Sequence, residues 1–211
     1  MHFPAFEPAF SLAITNHAPV MRERLVEGGE LERQGGLLRW GVPDPAPERK
    51  GKPMQNARLS SLHYFAVWKE LFGSGQRLSA PMQGYFEWIE PRPKYKQPIF
   101  IHDPEVPLLQ AAGLWAEDGT FTIITVKGVD AAGEVHDRMP LFLEDNMVAN
   151  WLNPEALAPK DGAALLREVR AGSDRIAKQL RTYPVTRELN NVRTVERDDP
   201  GLLQPIELEA V

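Results

Sequence analysis

Glu87 stands in the run Gly84-Tyr85-Phe86-Glu87-Trp88, where aromatic side chains flank a carboxylate on a predicted strand. If that strand lines a pocket, the apolar surroundings disfavour the charged carboxylate and raise its pKa. A carboxyl group with a raised pKa is suited to general acid–base catalysis. The alternative is a surface glutamate on an edge strand, and the pattern alone leaves both open.

His136 opens the run His136-Asp137-Arg138-Met139-Pro140, which places an imidazole beside a carboxylate and a guanidinium. Such a cluster in a loop predicts a site that transfers protons or binds an anion. A single His–Asp pair lacks the further ligands that a zinc site requires, so we expect no metal. A polar turn with a surface ion pair is the alternative.

Asn56 and Arg58 stand two residues apart in the run Gln55-Asn56-Ala57-Arg58. On an extended segment, residues at this spacing point to the same side. Together they could bind a phosphate and a neighbouring carbonyl or hydroxyl group. The alternative is that they form the entry to a helix that begins at Ser60.

Trp40 lies in the run Arg39-Trp40-Gly41-Val42-Pro43, just before a segment rich in proline and charge. A tryptophan at a strand end beside a loop could stack on a nucleic-acid base or act as a wedge, and a core tryptophan is the alternative. The phosphate-binding, dinucleotide-binding, zinc-protease and serine-hydrolase motifs with known mechanics are absent from the sequence.

Short apolar and alternating runs dominate the chain and predict the elements that carry these residues. Strands are predicted over residues 10–15, 37–42, 85–89, 98–102, 108–115, 120–126 and 139–143, with further extended pieces at 183–186 and 205–208. Helices are predicted from Ser60 or Ser61 to Phe72, over 145–152 and over 162–171, where Gly172 would follow as the cap. This predicts one α+β domain over residues 1–211, with a mostly antiparallel sheet and peripheral helices.

Composition narrows the possible chemistry. The 211 residues carry a net charge of −5 and contain no cysteine, which excludes disulfides, zinc–thiolate sites and cysteine nucleophiles from this chain. A local basic groove stays possible, because whole-chain charge averages over all faces. No apolar run is long enough to span a membrane, and Met1-His2-Phe3-Pro4 lacks the pattern of a signal peptide. We therefore expect a cytoplasmic monomer that has no membrane contact.

Taken in order, these segments resemble the SOS-response-associated peptidase family, most strongly over residues 37–208. Each motif is weak alone, but their shared order is specific. The resemblance rests on Trp40-Gly41-Val42-Pro43, Asn56-Ala57-Arg58, Gly84-Tyr85-Phe86-Glu87-Trp88, Ala112-Gly113-Leu114-Trp115, Thr122-Ile123-Ile124-Thr125 and His136-Asp137-Arg138-Met139-Pro140.

The resemblance implies a mixed α+β fold with a β-barrel-like core and a basic groove for DNA. Members of the family shield abasic sites in single-stranded DNA by forming a DNA–protein cross-link, and an autopeptidase activity is attributed to them. By resemblance, Asn56 positions the N-terminal residue or the sugar, Glu87 is the general acid–base group, and His136 assists ring opening. No cofactor is implied.

The resemblance also implies a set of DNA contacts. Arg58 and Arg138 would hold the phosphates that flank the lesion. Trp40 and Pro43 would help to splay the strand where it kinks. The partner would be single-stranded or damaged DNA.

One departure from the family bears directly on the chemistry. Family members have a cysteine after the initiating methionine, and its amine and thiol capture the abasic aldehyde as a thiazolidine; this chain has His2 there. Altered cross-link chemistry is therefore expected, unless the true start lies upstream. The alternatives are a non-catalytic module that binds single-stranded or damaged DNA, and a hydrolase that uses Glu87 and His136 on water.

Overall fold

Twelve β-strands and four α-helices occur along residues 5–208, the part of the chain that the computed structural model describes. The strands are β1 (His17–Leu25), β2 (Leu31–Trp40), β3 (Val42–Pro43), β4 (Pro53–Met54), β5 (Asn56–Arg58), β6 (Arg77–Met82), β7 (Gly84–Arg92), β8 (Tyr95–His102), β9 (Leu109–Trp115), β10 (Thr120–Lys127), β11 (Arg138–Pro140) and β12 (Arg181–Pro184). The helices are α1 (Ala66–Gly73), α2 (Asp130–Val135), α3 (Asp145–Leu152) and α4 (Pro159–Ala177).

A seven-stranded sheet in the order β11-β10-β2-β1-β6-β9 forms the centre of the fold, and β5 pairs with β10 beside it. The pairings are antiparallel except where β10 runs parallel to β2 and β5. β9 also pairs with β10, so the sheet curls around one core. It is not a closed barrel, since β1 and β6 share the single pair Met21–Ser79. A second sheet has the order β12-β8-β7.

β10 is the strand that organises the site. Its first seven residues are all buried, which is typical of a strand that is covered on both faces. Thr125 pairs with Arg58 on one edge and with Pro140 on the other. The short strands β5 and β11 therefore lie on opposite edges of β10, and their side chains are brought close to one another.

Arg77 is a fully buried cation that ties two helices to the sheet. Its guanidinium donates to the backbone carbonyl oxygens of Phe72 and Trp151, each at 2.8 Å. The carbonyl oxygens of Asn153 and Glu155 accept further bonds from it. These carbonyls lie at the C-terminal ends of α1 and α3, where the helix dipole favours a positive charge.

Several predicted elements are confirmed. The predicted strands over 85–89, 98–102 and 108–115 lie in β7, β8 and β9, and the one over 120–126 lies in β10. The predicted helix over 145–152 is α3. The fold class, α+β with a mostly antiparallel sheet and peripheral helices, is confirmed, although the sheet stays open.

Other predicted boundaries are wrong. Residues 10–15 form no strand, because Thr15 adopts a positive φ of 72° in a turn in which Asn16 Oδ1 accepts from the Ala13 N–H. The strand predicted over 37–42 begins earlier and is interrupted at Gly41, whose φ is 116°. Residues 205–208 are not in a strand, although the Ile206 N–H donates a hydrogen bond to the Pro184 carbonyl oxygen.

The predicted helices also differ from those observed. α1 begins at Ala66, not at Ser60 or Ser61, because Leu59–Ser61 forms a separate 3-10 turn. α4 starts with Pro159 and continues through Gly172 instead of ending there. Gly172 packs against the Glu144 side chain, which would have to shift for a larger residue, since a Cβ at this position would lie 2.9 Å from Glu144 Oε2.

Candidate nucleic-acid interface

Glu87 and His136 are brought together although 48 residues separate them in the chain. Glu87 lies on β7, and His136 is the extended residue that ends α2. The distance from Glu87 Oε1 to His136 Nδ1 is 3.7 Å. This is within ion-pair range but longer than a hydrogen bond, so the two groups interact without being locked to each other.

His136 is oriented by the backbone of Arg138. The Arg138 N–H donates to His136 Nδ1 at 3.0 Å, and the Arg138 carbonyl oxygen lies 3.1 Å from the same nitrogen. Nδ1 accepts the first bond when it carries no proton, and it donates to the second when it carries one. The backbone of Arg138 can therefore hold the ring with or without a proton on Nδ1.

Glu87 has the environment of a general acid. Although β7 is an edge strand, the Glu87 side chain is only 27% exposed. Burial raises the pKa of Glu87, nearby Asp137 raises it further, and His136 opposes the rise. The Tyr85 hydroxyl beside it is buried without a hydrogen-bond partner, and burial raises the pKa of Tyr85 as well. The alternative of a surface glutamate on an edge strand is thus correct about the strand, which lies at a sheet edge. It is wrong about the carboxyl group, which is mostly buried.

Arg58 and Arg138 form a cationic pair across β10. Arg138 Nη2 donates to the carbonyl oxygen of Thr125 at 2.6 Å and to its hydroxyl oxygen at 2.8 Å. Arg58 is the register partner of the same Thr125 on the other edge. Burial lowers the pKa of Arg138, and repulsion from Arg58 and Arg170 lowers it further. The nearby Asp137 carboxylate opposes this lowering. Arg138 thus lies near two further guanidinium groups, an arrangement that can attract an anion.

Asn56 and Trp40 lie at the other end of this interface. Asn56 and Arg58 are both exposed while Ala57 between them is fully buried, as the strand alternation predicts. The Trp40 indole N–H donates to the carbonyl oxygen of Gln55 at 2.8 Å, which holds the ring next to Asn56. No hydrogen bond joins the Asn56 side chain to Glu87 or His136 in the described part of the chain.

All four predicted DNA-binding residues are connected to β10. Trp40 pairs with Phe121, Arg58 with Thr125, and Arg138 with Lys127. Half-buried Pro43 follows two residues after Gly41, whose N–H donates to the Phe121 carbonyl oxygen. From Phe121 to Thr125 the strand spans about 13 Å, so the tryptophan and the arginines occupy two ends of one surface.

Two further residues of this surface were not predicted. The sequence places Thr125 in a strand and in the motif Thr122-Ile123-Ile124-Thr125 but assigns it no role in the site, although it anchors Arg138. Arg170 reaches the arginine pair from α4, far away in the sequence, where it also forms an ion pair of 2.8 Å with Asp174. No local pattern marks Arg170, because only the packing of α4 brings it there.

Residues 5–208 contain neither a metal-binding cluster nor a helix that could span a membrane. No group of three or more His, Asp or Glu side chains in this range is arranged to hold a metal ion. None of the helices in it is long and apolar enough to cross a membrane.

The fold and the site define an α+β protein with an acid–base pair beside a cationic surface. A model of the SOS response associated peptidase (SRAP) family matches residues 2–192. This chain belongs to that family.

Relatives and solved structures agree with this assignment. The chain is 31% identical over 171 residues to abasic site processing protein YobE of Bacillus subtilis, with 76% of this chain and 75% of YobE covered. It is 24% identical to abasic site processing protein HMCES of Xenopus tropicalis, covering 89% of this chain and 64% of HMCES. A crystal structure of a protein from Bacteroides thetaiotaomicron matches 92% of this chain and 82% of its own, with a TM-score of 0.65 and 22% identity, and shows the same fold.

Proposed function

We propose that this chain recognises abasic sites in single-stranded DNA. The observation that carries the proposal is the arrangement around Thr125. Arg58 and Arg138 flank it on opposite edges of β10, and the Glu87–His136 pair lies two residues from Arg138. The names of the relatives YobE and HMCES, which are abasic site processing proteins, support the same function.

In this proposal, the cationic part of the surface binds the sugar–phosphate backbone of the DNA. Guanidinium groups bind phosphate through paired, charge-assisted hydrogen bonds, and such contacts position a strand without selecting its sequence. Trp40 provides a π-face for a base that flanks the lesion, and Asn56 provides an amide for a sugar hydroxyl. An abasic site lacks a base to read, so recognition through backbone and stacking contacts suits it.

In this proposal, Glu87 and His136 act on the sugar of the lesion and open its ring. An abasic deoxyribose is a cyclic hemiacetal that must open to expose its aldehyde. In the proposed step, His136 accepts the proton of the C1′ hydroxyl, the C1′–O4′ bond breaks, and protonated Glu87 donates its proton to O4′. The raised pKa of Glu87 keeps this proton available near neutral pH. The step is an isomerisation and needs no co-reactant.

The covalent chemistry is proposed to stop at an imine. A thiazolidine requires a thiol beside an amine, and the chain contains no cysteine. An amine alone condenses with the aldehyde, losing water, to an imine that water reverses. The position of the family's cysteine corresponds to His2 in this chain. His2 lies outside the described residues.

The experiment uses single-stranded DNA with one abasic site and the same strand undamaged. Native gels measure binding, and denaturing gels with and without borohydride measure covalent capture. We expect selective retention of abasic DNA and an adduct only after borohydride reduction. Glu87→Gln and His136→Ala should lower the adduct yield but not retention, and Lys69→Gln, an exposed residue on α1, is the control.

Three outcomes would contradict the proposal. Equal retention of the two strands would remove abasic-site recognition. A heat-stable adduct without borohydride would show that the covalent chemistry does not stop at an imine. Selective retention with no adduct under any condition would leave a pure binding module and remove the acid–base role of Glu87 and His136.

A further inference from the structure

A second cationic cluster lies on β1, beside Trp115 of β9. Arg22 and Arg24 point to the same side of β1, and their guanidinium carbons lie 4.5 and 4.6 Å from the centre of the Trp115 ring. Trp115 pairs with Phe121, whereas Arg138 pairs with Lys127. These two positions on β10 are six residues, or about 20 Å, apart along the strand, whereas Trp40 pairs with the same Phe121 on the other edge of β10. The proposed DNA surface does not include this cluster.

The cluster presents hydrogen-bond donors that lack acceptors. The Nε atom of Arg24 and the indole Nε1 of Trp115 are both buried and make no hydrogen bond within the structure. The Arg22 guanidinium has no hydrogen-bond acceptor among residues 5–208. Buried polar groups in folded proteins nearly always have a partner. Arg24 Nε and Trp115 Nε1 are both donors, so the partner that each can take is an acceptor. The half-buried Arg22 guanidinium adds further donors beside them.

The carboxylates around the cluster do not supply that acceptor. Glu117 is the acidic residue nearest to Arg24, and its Oε2 lies 3.8 Å from Arg24 Nη2. The Glu117 side chain is 76% exposed, so this contact is long and solvated. Glu32, opposite Arg24 in the β1–β2 register, accepts instead from Gln34 Nε2 at 2.7 Å.

The two guanidinium groups also repel each other. Burial lowers the pKa of Arg22, and the charge of Arg24 lowers it further, while Glu117 only partly compensates. Stacking on the Trp115 ring stabilises each cation but does not neutralise either charge. An anion bound between them would remove the repulsion and accept the free N–H groups.

We infer that Arg22, Arg24 and the indole N–H of Trp115 form a binding site for a phosphate-type oxyanion. A tetrahedral oxyanion has enough acceptor oxygens for both guanidinium groups and the indole N–H, and Arg is the residue best suited to bind it in a bidentate manner. The ligand is either free phosphate or a terminal phosphate of an oligonucleotide. None of these three residues belongs to the proposed DNA surface, so variants of Arg22 and Arg24 test this site separately from the proposed abasic-site function.

The first experiment measures thermal unfolding in inorganic phosphate and in sodium chloride of the same ionic strength. At phosphate concentrations several times the Kd, a bound anion should raise the Tm by about 2–4 °C. Arg22→Gln and Arg24→Gln should each remove the part of this rise that comes from the Trp115 cluster. Trp115→Phe, which keeps the ring but loses the N–H, should reduce it. Arg167→Gln makes the same charge change at an exposed position on α4 and should keep the full rise.

A second measurement distinguishes the source of the phosphate. Undamaged oligonucleotides with a 5′-phosphate, a 3′-phosphate or neither are compared for affinity to the wild type and Arg22→Gln. Tighter binding of one phosphorylated form, lost in Arg22→Gln, identifies a strand terminus as the ligand. A Tm rise in phosphate without such a difference identifies the free anion.

Two results would overturn the inference. One is an equal Tm in phosphate and chloride together with equal affinity for the three oligonucleotides. The other is a phosphate effect that Arg22→Gln leaves unchanged. Arg22→Lys keeps the positive charge but loses the planar guanidinium donors that bind an oxyanion in a bidentate manner. It therefore tests the site even if Arg22→Gln fails to fold. The part of the phosphate effect that Arg22→Gln removes should persist in Arg58→Gln, which separates this site from phosphate bound at the DNA surface.

Discussion

The Arg138 side chain is fixed on Thr125, whose carbonyl and hydroxyl oxygens accept bonds from the same Nη2 atom at 2.6 and 2.8 Å. This anchorage leaves the other N–H groups of the guanidinium available for a ligand. It also holds Arg138 beside Arg58, although the two repel each other. A preorganised pair of like charges is costly without an anion, which supports the proposal that this surface binds phosphates.

Replacing Arg58 or Arg138 should weaken DNA binding and reduce its salt dependence. Each variant, Arg58→Gln or Arg138→Gln, removes one phosphate contact, so the slope of log K against log salt should fall by about 0.7 for single-stranded DNA. The affinity should fall about tenfold, as expected for a lost charge-assisted bond. Fluorescence anisotropy across a salt series measures both quantities.

Lys69→Gln is the matched control for this prediction, because it removes one positive charge from an exposed position on α1. Its salt slope should equal that of the wild type. If all three variants lose the same affinity, the effect comes from net charge and not from contacts around Thr125.

Glu87→Gln should stabilise the protein at alkaline pH. Burial raises the pKa of Glu87 in the folded state above its unfolded value. The stability that its protonated form provides is therefore fully present below the unfolded pKa and is lost as the pH rises through the folded pKa. The neutral amide of glutamine does not suffer this loss. The Tm difference between variant and wild type should grow from pH 4 to pH 8.

A buffer series in a scanning calorimeter measures this difference. Glu90→Gln, an exposed position on the same strand, serves as the control and should show no such growth. A Tm difference for Glu87→Gln that is the same at pH 4 and pH 8 would contradict a raised pKa at Glu87.

The local parts of the site could be predicted from the sequence. The alternation around Ala57 placed Asn56 and Arg58 on one side, and the β-branched run around Ile124 predicted the buried strand β10. Strand alternation and β-branched runs depend only on residues that are neighbours in the sequence. They can therefore be recognised from the sequence without the structure.

The long-range parts could not be predicted from the pattern. β1 was missed because Arg22, Glu23 and Arg24 place charges on both of its faces. The structure provides a separate partner on each face. Arg22 and Arg24 stack on Trp115, and Glu23 accepts from Arg33 Nε at 2.8 Å across the neighbouring strand. Such partners come from other strands, and local periodicity carries no information about them.

Arg77→Met should destabilise the fold strongly. It removes a buried cation that satisfies carbonyl oxygens at the ends of α1 and α3. Each carbonyl left buried without a partner costs about 1–3 kcal/mol, so we expect a loss of about 3–5 kcal/mol in the free energy of unfolding. Urea denaturation followed by circular dichroism measures it.

Arg77→Lys provides the comparison, because a lysine keeps the charge but has fewer donors in a different geometry. It should recover only part of the loss. If Arg77→Met unfolds at the same urea concentration as the wild type, water replaces the guanidinium at no cost and the role of Arg77 as a clamp is wrong.

Trp40 can be tested for two roles at once, because its ring is half-buried against the core while its indole N–H holds the Gln55 carbonyl. A stacked base is worth about 1–3 kcal/mol on alanine substitution, so Trp40→Ala should weaken binding of single-stranded DNA by about 5–150-fold. Trp40→Phe keeps a ring and should lose less. Both affinities are measured below the Tm of each variant. If Trp40→Ala lowers the Tm but leaves the DNA affinity unchanged, Trp40 is a core residue. The substitution would then have weakened the packing of the protein and not its contact with DNA.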